Sequence, residues 1–216
     1  LQSEYPNIQL LRFKKNYGFA EGYNKALKNI CLYYLSSMEQ HVDLVDQQFV
    51  DSNNMTDSLA ALNCCAKHNL KSFDKHMQVF ESKWQNTPLV MDKWLSLQAL
   101  INSDDVIEKI KHLTQHSSFS FSNPNRVRSL IGAFASQNTY QFHRADGEGY
   151  RYLTKILVKL NKSNPQVASR MITPLIQFAK FDASRQALMK QCLQELKNLP
   201  DLSKDLFEKV TKALAE

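Results

Sequence analysis

Three boundaries stand out along this chain, each with a capping side chain immediately before a proline: Thr87-Pro88, Asn123-Pro124 and Asn164-Pro165. Each pair predicts a helix start. The polar group caps an orphan backbone N–H of the first turn, and proline at the first helical position lacks an N–H that would have had no intrahelical partner. Only 5 Gly and 6 Pro occur in 216 residues. Hairpins that need positive φ are therefore poorly supplied, whereas the long Leu, Ala, Lys and Gln stretches suit helices. The chain reads as all-α. Its length lies near the upper end of ordinary single-domain size, and a single domain over residues 1–216 is expected.

Apolar spacing supplies the next level. Tyr150, Leu153, Ile156, Leu157 and Leu160 follow helical periodicity, and a second set runs from Pro165 through Val167, Met171, Leu175 and Ile176. With only Asn161 to Asn164 between them, these two helices should pack antiparallel, and similar short connections recur near Asn69, Asn86 and Asp182. The expectation is about ten helices, stacked as successive antiparallel pairs into an irregular superhelix of the armadillo/HEAT solenoid type. No fixed period is visible, so a compact irregular bundle is the structural alternative. Pro174 should kink the helix that begins at Pro165. Ser117 to Asn125 (SSFSFSNPN) reads as an extended loop whose Phe119 and Phe121 plug the core, and Arg144 to Gly149 (RADGEG) as a turn between helices.

Composition narrows the function classes. Hydrophobic residues at 43% and charged residues at 22% are ordinary for a folded globular chain. No apolar run approaches the roughly 20 residues that cross a bilayer, which argues against a membrane partner. The net charge of +6 comes mostly from lysines scattered singly among acids, with no zinc-finger spacing or Arg-rich arm, so a solvated basic surface is expected and nucleic acid is not. Cys31, Cys64, Cys65 and Cys192 form no CxxC pair and read as reduced, buried thiols of a cytoplasmic protein. The opening Leu1, with no signal pattern behind it, reads as a fragment boundary.

Candidate chemistry is sparse. His112 and His116 have zinc-helix spacing in HLTQH, but Leu113 stands where a HExxH peptidase places its Glu base, so helix-end or surface histidines are expected. Cys64, Cys65 and His68 make a poor ligand set, because vicinal cysteines on a helix point about 100° apart. Neither cluster is read as a metal site. Arg128, Gln166 and Arg170 each lie beside an apolar stripe rather than opposite it, and Gln166 and Arg170 share a helical face. Arg170 offers a fork of donors for a carboxylate or carbonyl, but from spacing alone an intramolecular salt bridge or a solvated flank is the expected role.

Six blocks carry a resemblance: KALKN (Lys25 to Asn29), NNMTDSLAAL (Asn53 to Leu62), LVMDKW (Leu89 to Trp94), SNPNRVRSLIGAFA (Ser122 to Ala135), NPQVASR (Asn164 to Arg170) and LFEKVTKAL (Leu206 to Leu214). In this order they resemble the C-terminal domain of the bacterial aminopeptidase N family of zinc aminopeptidases. Cys64 and Cys65 depart from that pattern, which has small residues there, and Leu1 to Phe19 matches it weakly. The resemblance implies a helical domain that closes over an active site built elsewhere in a larger chain. The zinc, its HExxH helix, the distal Glu ligand, the GxMEN segment and a transition-state tyrosine belong to that family's catalytic domain, and none of these motifs is in this sequence.

What the resemblance assigns here is a chamber wall. Gln166 would approach the pocket for the first substrate residue, and Arg170 and Arg128 would face the internal cavity. The expectation is thus a non-catalytic C-terminal domain, without catalytic residue, cofactor or metal of its own. It would belong to a cytoplasmic, monomeric parent that removes N-terminal residues from short peptides. Its partners would be the catalytic and β domains of the same parent chain. The rival from another class is a free-standing helical-repeat adaptor that binds a protein or peptide on its concave face.

Overall fold

The computed structural model describes residues 19–38 and 41–215. The weakly matching stretch from Leu1 to residue 18 lies outside the described residues. Every regular element among them is helical, as the glycine and proline usage predicts. The chain divides into two compact units, residues 1–61 and 62–216.

In the first unit, α1 (Phe19–Leu35) and α2 (Asp43–Asp51) precede the start of α3 (Met55–Lys67). Asn54 caps α3 by accepting from the Asp57 backbone N–H at 3.0 Å, and its amide donates back to the Asp57 carboxylate at 2.9 Å. Asp57 also accepts from Asn29 of α1 at 3.2 Å, so one buried carboxylate joins the first and third helices.

The second unit continues with α4 (Phe73–Trp84), α5 (Pro88–Ala99), α6 (Val106–Leu113), α7 (Pro124–Val127), α8 (Ala133–Gln137) and α9 (Thr139–Phe142). There follow α10 (Glu148–Ser163), α11 (Pro165–Met171), α12 (Thr173–Ile176), α13 (Ala183–Lys197) and α14 (Lys204–Ala215). All three predicted proline starts are helix starts. Asn123 and Asn164 cap as expected, accepting from Asn125 N at 2.9 Å and Val167 N at 3.3 Å. Thr87 makes no side-chain cap. The N–H of Val90, the usual target of such a cap, is already taken by the Thr87 carbonyl at 2.9 Å.

The α-helical segments among the described residues number fourteen against the ten or so expected, and two of the extra segments arise because two helices are interrupted. Between α7 and α8 the chain widens into a π turn, Arg128–Gly132. Between α11 and α12 it breaks at Ile172, where a kink was expected. Pro174 has no N–H to give the Arg170 carbonyl, and the Thr173 hydroxyl donates to that carbonyl at 3.0 Å instead.

In this unit α4 packs on α5, and α5 packs on α6 and, across the intervening α6 and α7, on the π turn. The hairpin α10–α11 also stacks on the hairpin α13–α14, α10 against α13 and α11 against α14, which is the pair-on-pair arrangement of armadillo-type repeats. Leu153, Leu157 and Leu160 of α10 are buried with Met189, Leu193 and Leu196 of α13. Polar ties sit between pairs. The Asn138 amide donates to the Ala99 and Ile101 carbonyls at 3.0 and 2.9 Å, and Asn161 bridges to Asp201 O at 2.8 Å and Ser203 N at 2.9 Å. In the Ser117–Asn125 loop Phe119 is buried and Phe121 half-buried, their rings edge to face.

Candidate functional site

α11 is amphipathic in the sense its spacing predicts. Val167 and Met171 of α11 and Leu175 of α12 are buried, whereas Gln166 and Arg170 are exposed. Arg170 occupies the last turn of α11, where a cation is favoured by the carbonyl end of the helix. Arg128 opens the π turn, is exposed, and donates to the Asn125 side chain, which the capped start at Pro124 holds in place.

Arg128 and Arg170 line one cavity of about 580 Å³ together with Gly132, Met171, Pro174 and Phe181. Gln166 lies one turn back on α11 and is not among its lining residues. Among the described residues that form this wall there is no carboxylate and no cysteine. The two guanidinium groups thus present donor forks without an acid on the same wall to neutralise them, beside apolar surface from Met171, Pro174 and Phe181. Donor forks of this kind suit carbonyl oxygens or carboxylates.

The sequence reading missed His143, which with Thr139 and Phe181 also lines a second cavity of about 760 Å³. Its imidazole stacks on Phe181 at 4.1 Å between centroids, and its Nδ1 is 2.9 Å from the Tyr150 hydroxyl. Arg185 donates to the His143 carbonyl at 2.7 Å and is itself paired with Asp182. Burial, reinforced by the Arg185 charge, pushes the His143 pKa down, and burial pushes the Tyr150 hydroxyl up. The pair is therefore uncharged at neutral pH. The signal was present in FHRADGEGY, where His143 and Tyr150 flank a turn that was read only as a connection.

The histidine pair in HLTQH does not fit a metal. α6 ends at Leu113, so His112 lies in the helix and His116 beyond it. His116 Nδ1 accepts the Ser118 N–H at 3.1 Å, which leaves Nε2 to carry the proton directed at Glu81 at 2.9 Å, and its ring lies 5.1 Å from Trp94. Both ring nitrogens are thereby occupied. Cys64 and Cys65 of α3 and Cys192 of α13 are buried thiols as expected, whereas Cys31 is a free thiol at the surface of α1.

Comparison with known proteins gives a consistent result. The family described as a domain of unknown function (DUF3458_C) with ARM repeats matches residues 11–215. Aminopeptidase N of Haemophilus influenzae is 51% identical over 190 residues, and aminopeptidase N of Escherichia coli is 50% identical over 193. Each match covers 88% of this chain and 22% of the relative, so the chain spans about a fifth of the length of these proteins. Among solved structures, the aminopeptidase A of Legionella pneumophila in complex with aspartic acid superposes with a TM-score of 0.84 at 30% identity, covering 99% of this chain and 25% of that one.

Proposed function

The chain belongs to the DUF3458_C family of ARM-repeat domains and is homologous to the C-terminal region of aminopeptidase N, and on that footing we propose that it is the non-catalytic C-terminal domain of a zinc aminopeptidase. In this reading it covers the active site of a cytoplasmic, monomeric parent and lines the chamber that admits short peptides. One observation carries it: Arg128 and Arg170, distant in sequence, share a cavity wall that contains no acid.

The residues of this chain bind and orient. The two guanidinium groups hold backbone carbonyls or a terminal carboxylate, Met171 and Phe181 offer apolar contact, and Gln166 supplies a neutral donor and acceptor one turn away. Zinc, where bound, would polarise the scissile carbonyl and activate water. In this reading it belongs to the catalytic domain of the parent, as the family resemblance implies. No helix among the described residues is long and apolar enough to cross a membrane.

The test uses the parent enzyme and two neighbouring positions. Gln166→Ala removes an exposed polar side chain and should raise KM about 3- to 10-fold with kcat and melting temperature unchanged. Val167→Asp puts a charge among buried apolar groups and should cost roughly 3 kcal/mol or more of stability. If Gln166→Ala left the kinetics for every peptide length untouched while lowering the melting temperature as Val167→Asp does, the chamber-wall assignment would be withdrawn.

A further inference from the structure

Helix α1 turns its more apolar side outward. Tyr23, Leu27, Ile30, Cys31 and Tyr34 recur at the spacing of one helical face, and all five are exposed, Leu27 at 49%, Ile30 at 53% and Tyr34 at 70%. No charged residue stands among them, because Lys25 and Lys28 lie around the other side of the helix. The inward side is the more polar one. Leu32 is buried there beside Asn29, which donates to the Asp57 carboxylate of α3 at 3.2 Å and accepts from Gln48 of α2 at 2.9 Å. A helix docked largely through amides, with leucine, isoleucine and tyrosines facing water, inverts the usual pattern.

The last helix offers a contrast. α14 buries Leu206, Val210 and Ala213 and exposes Lys204, Asp205, Glu208 and Lys212, with Phe207 as the large apolar group on that side. In repeat arrays each helix pair packs on its neighbours, and a terminal pair needs a polar outer side. α14 has such a side and α1 does not. The matched family is one of ARM repeats, and the chain spans about a fifth of the relatives whose C-terminal region it resembles, so a large part of such a protein precedes this region. An uncharged stripe without a basic flank matches neither an acidic partner nor a lipid surface. It matches the apolar face of another helix.

We propose that the Tyr23–Tyr34 face of α1 is an interior packing surface of a longer helical array, covered in the parent by an amphipathic helix pair from the polypeptide that precedes this chain. This assignment rests on the chain being the C-terminal region of a longer protein, and not on peptidase activity or on the Arg128–Arg170 wall. Aliphatic side chains of the covering helices would seat in the grooves between Leu27, Ile30 and Tyr34.

Cys31 is a reporter within the stripe, since Cys64, Cys65 and Cys192 are buried. Labelling with N-ethylmaleimide, read by peptide mapping, needs no substitution. Cys31 should react as an exposed thiol in the 216-residue chain and at least about tenfold more slowly in the full-length parent. Ile30→Asp should lower the melting temperature of the parent by about 5 °C or more and restore fast labelling of Cys31, because it sets a carboxylate in an apolar interface. In the 216-residue chain the same substitution should move the melting temperature by no more than about 1 °C, since the side chain is exposed there. Equal labelling rates in the two proteins, or a parent whose melting temperature ignores Ile30→Asp, would overturn the proposal. So would slow labelling in the 216-residue chain: protection lost on dilution would assign the stripe to a second copy, and protection independent of concentration to another segment of this chain. A Gln166→Ala parent with unchanged kinetics, which sinks the chamber wall, leaves all of these readouts unaffected.

Discussion

Asn138 offers the sharpest test of how the second unit is held together. It is 3% exposed, donates to the Ala99 and Ile101 carbonyls, and accepts the Gln141 N–H at 3.3 Å as the cap of α9. Asn138→Ala loses all three bonds and strands two carbonyls, a penalty of about 3 kcal/mol. Asn138→Asp has the same shape and keeps the capping acceptor, yet it should be worse at neutral pH, about 4–5 kcal/mol, because a carboxylate oxygen then faces those carbonyls. At about 2–4 °C per kcal/mol the melting temperature should fall by about 10 °C or more. Denaturant titration followed by tryptophan fluorescence is well placed, since Trp84 and Trp94 both lie in residues 62–216. The substituted carboxyl would have a folded pKa above its unfolded value of about 3.9. Acidification therefore protonates the folded form first and restores one donor, so the deficit should shrink as pH falls toward about 4. An Asn138→Asp protein as stable as wild type, or more stable than Asn138→Ala at pH 7, would refute the argument.

Two further outcomes follow from local geometry. A Cβ on Gly149 would meet the Phe142 carbonyl oxygen at 2.3 Å and its Cα at 2.9 Å, both backbone atoms, so Gly149→Ala should cost about 2–4 kcal/mol in the same denaturant assay. In the first unit, burial raises the Asp57 pKa, but hydrogen bonds from Asn54 and Asn29 and the charges of Lys28 and Lys25 outweigh it and leave the pKa lowered. Its contribution is present above the unfolded value of about 3.9 and is lost as pH falls through the folded pKa. Asp57→Asn should start less stable at pH 7 and lose less on acidification to pH 3, as read by helical circular dichroism.

The helix starts were legible because their cause is local: a capping side chain and a proline act within one turn of themselves. The inward set Val167, Met171 and Leu175 was legible for a similar reason, since periodicity on one helix reports one face of it. The break at Ile172 was harder. The carbonyl that a helical proline leaves unpaired is accommodated either by a bend or by a new donor, and here the donor is the Thr173 hydroxyl, whose reach to Arg170 O depends on its rotamer. Gly149 was read only as part of a turn, because nothing in RADGEG reports that the Phe142 backbone lies against it.

The pairing of site residues shows where sequence spacing stops. Four-residue spacing joined Gln166 to Arg170, and the two do share an exposed face, but the cavity wall joins Arg170 to Arg128 instead. That wall depends on how closely the π turn approaches α11. Gly132 of the π turn lies beside Met171, and a Cβ there would stand at ordinary contact distance, 3.5 Å from Sδ and 3.6 Å from Cε, so the absence of a side chain is not what sets the approach. The flanks of the two segments, with a guanidinium on each, line the same space. The π turn contributes in its own way: inserting one residue's worth of rotation keeps Leu130, Ile131 and Phe134 buried while Arg128 stays at the surface. An extra residue in a helical turn has no periodic signature, so the two arginines could be nominated from sequence but not brought together by it.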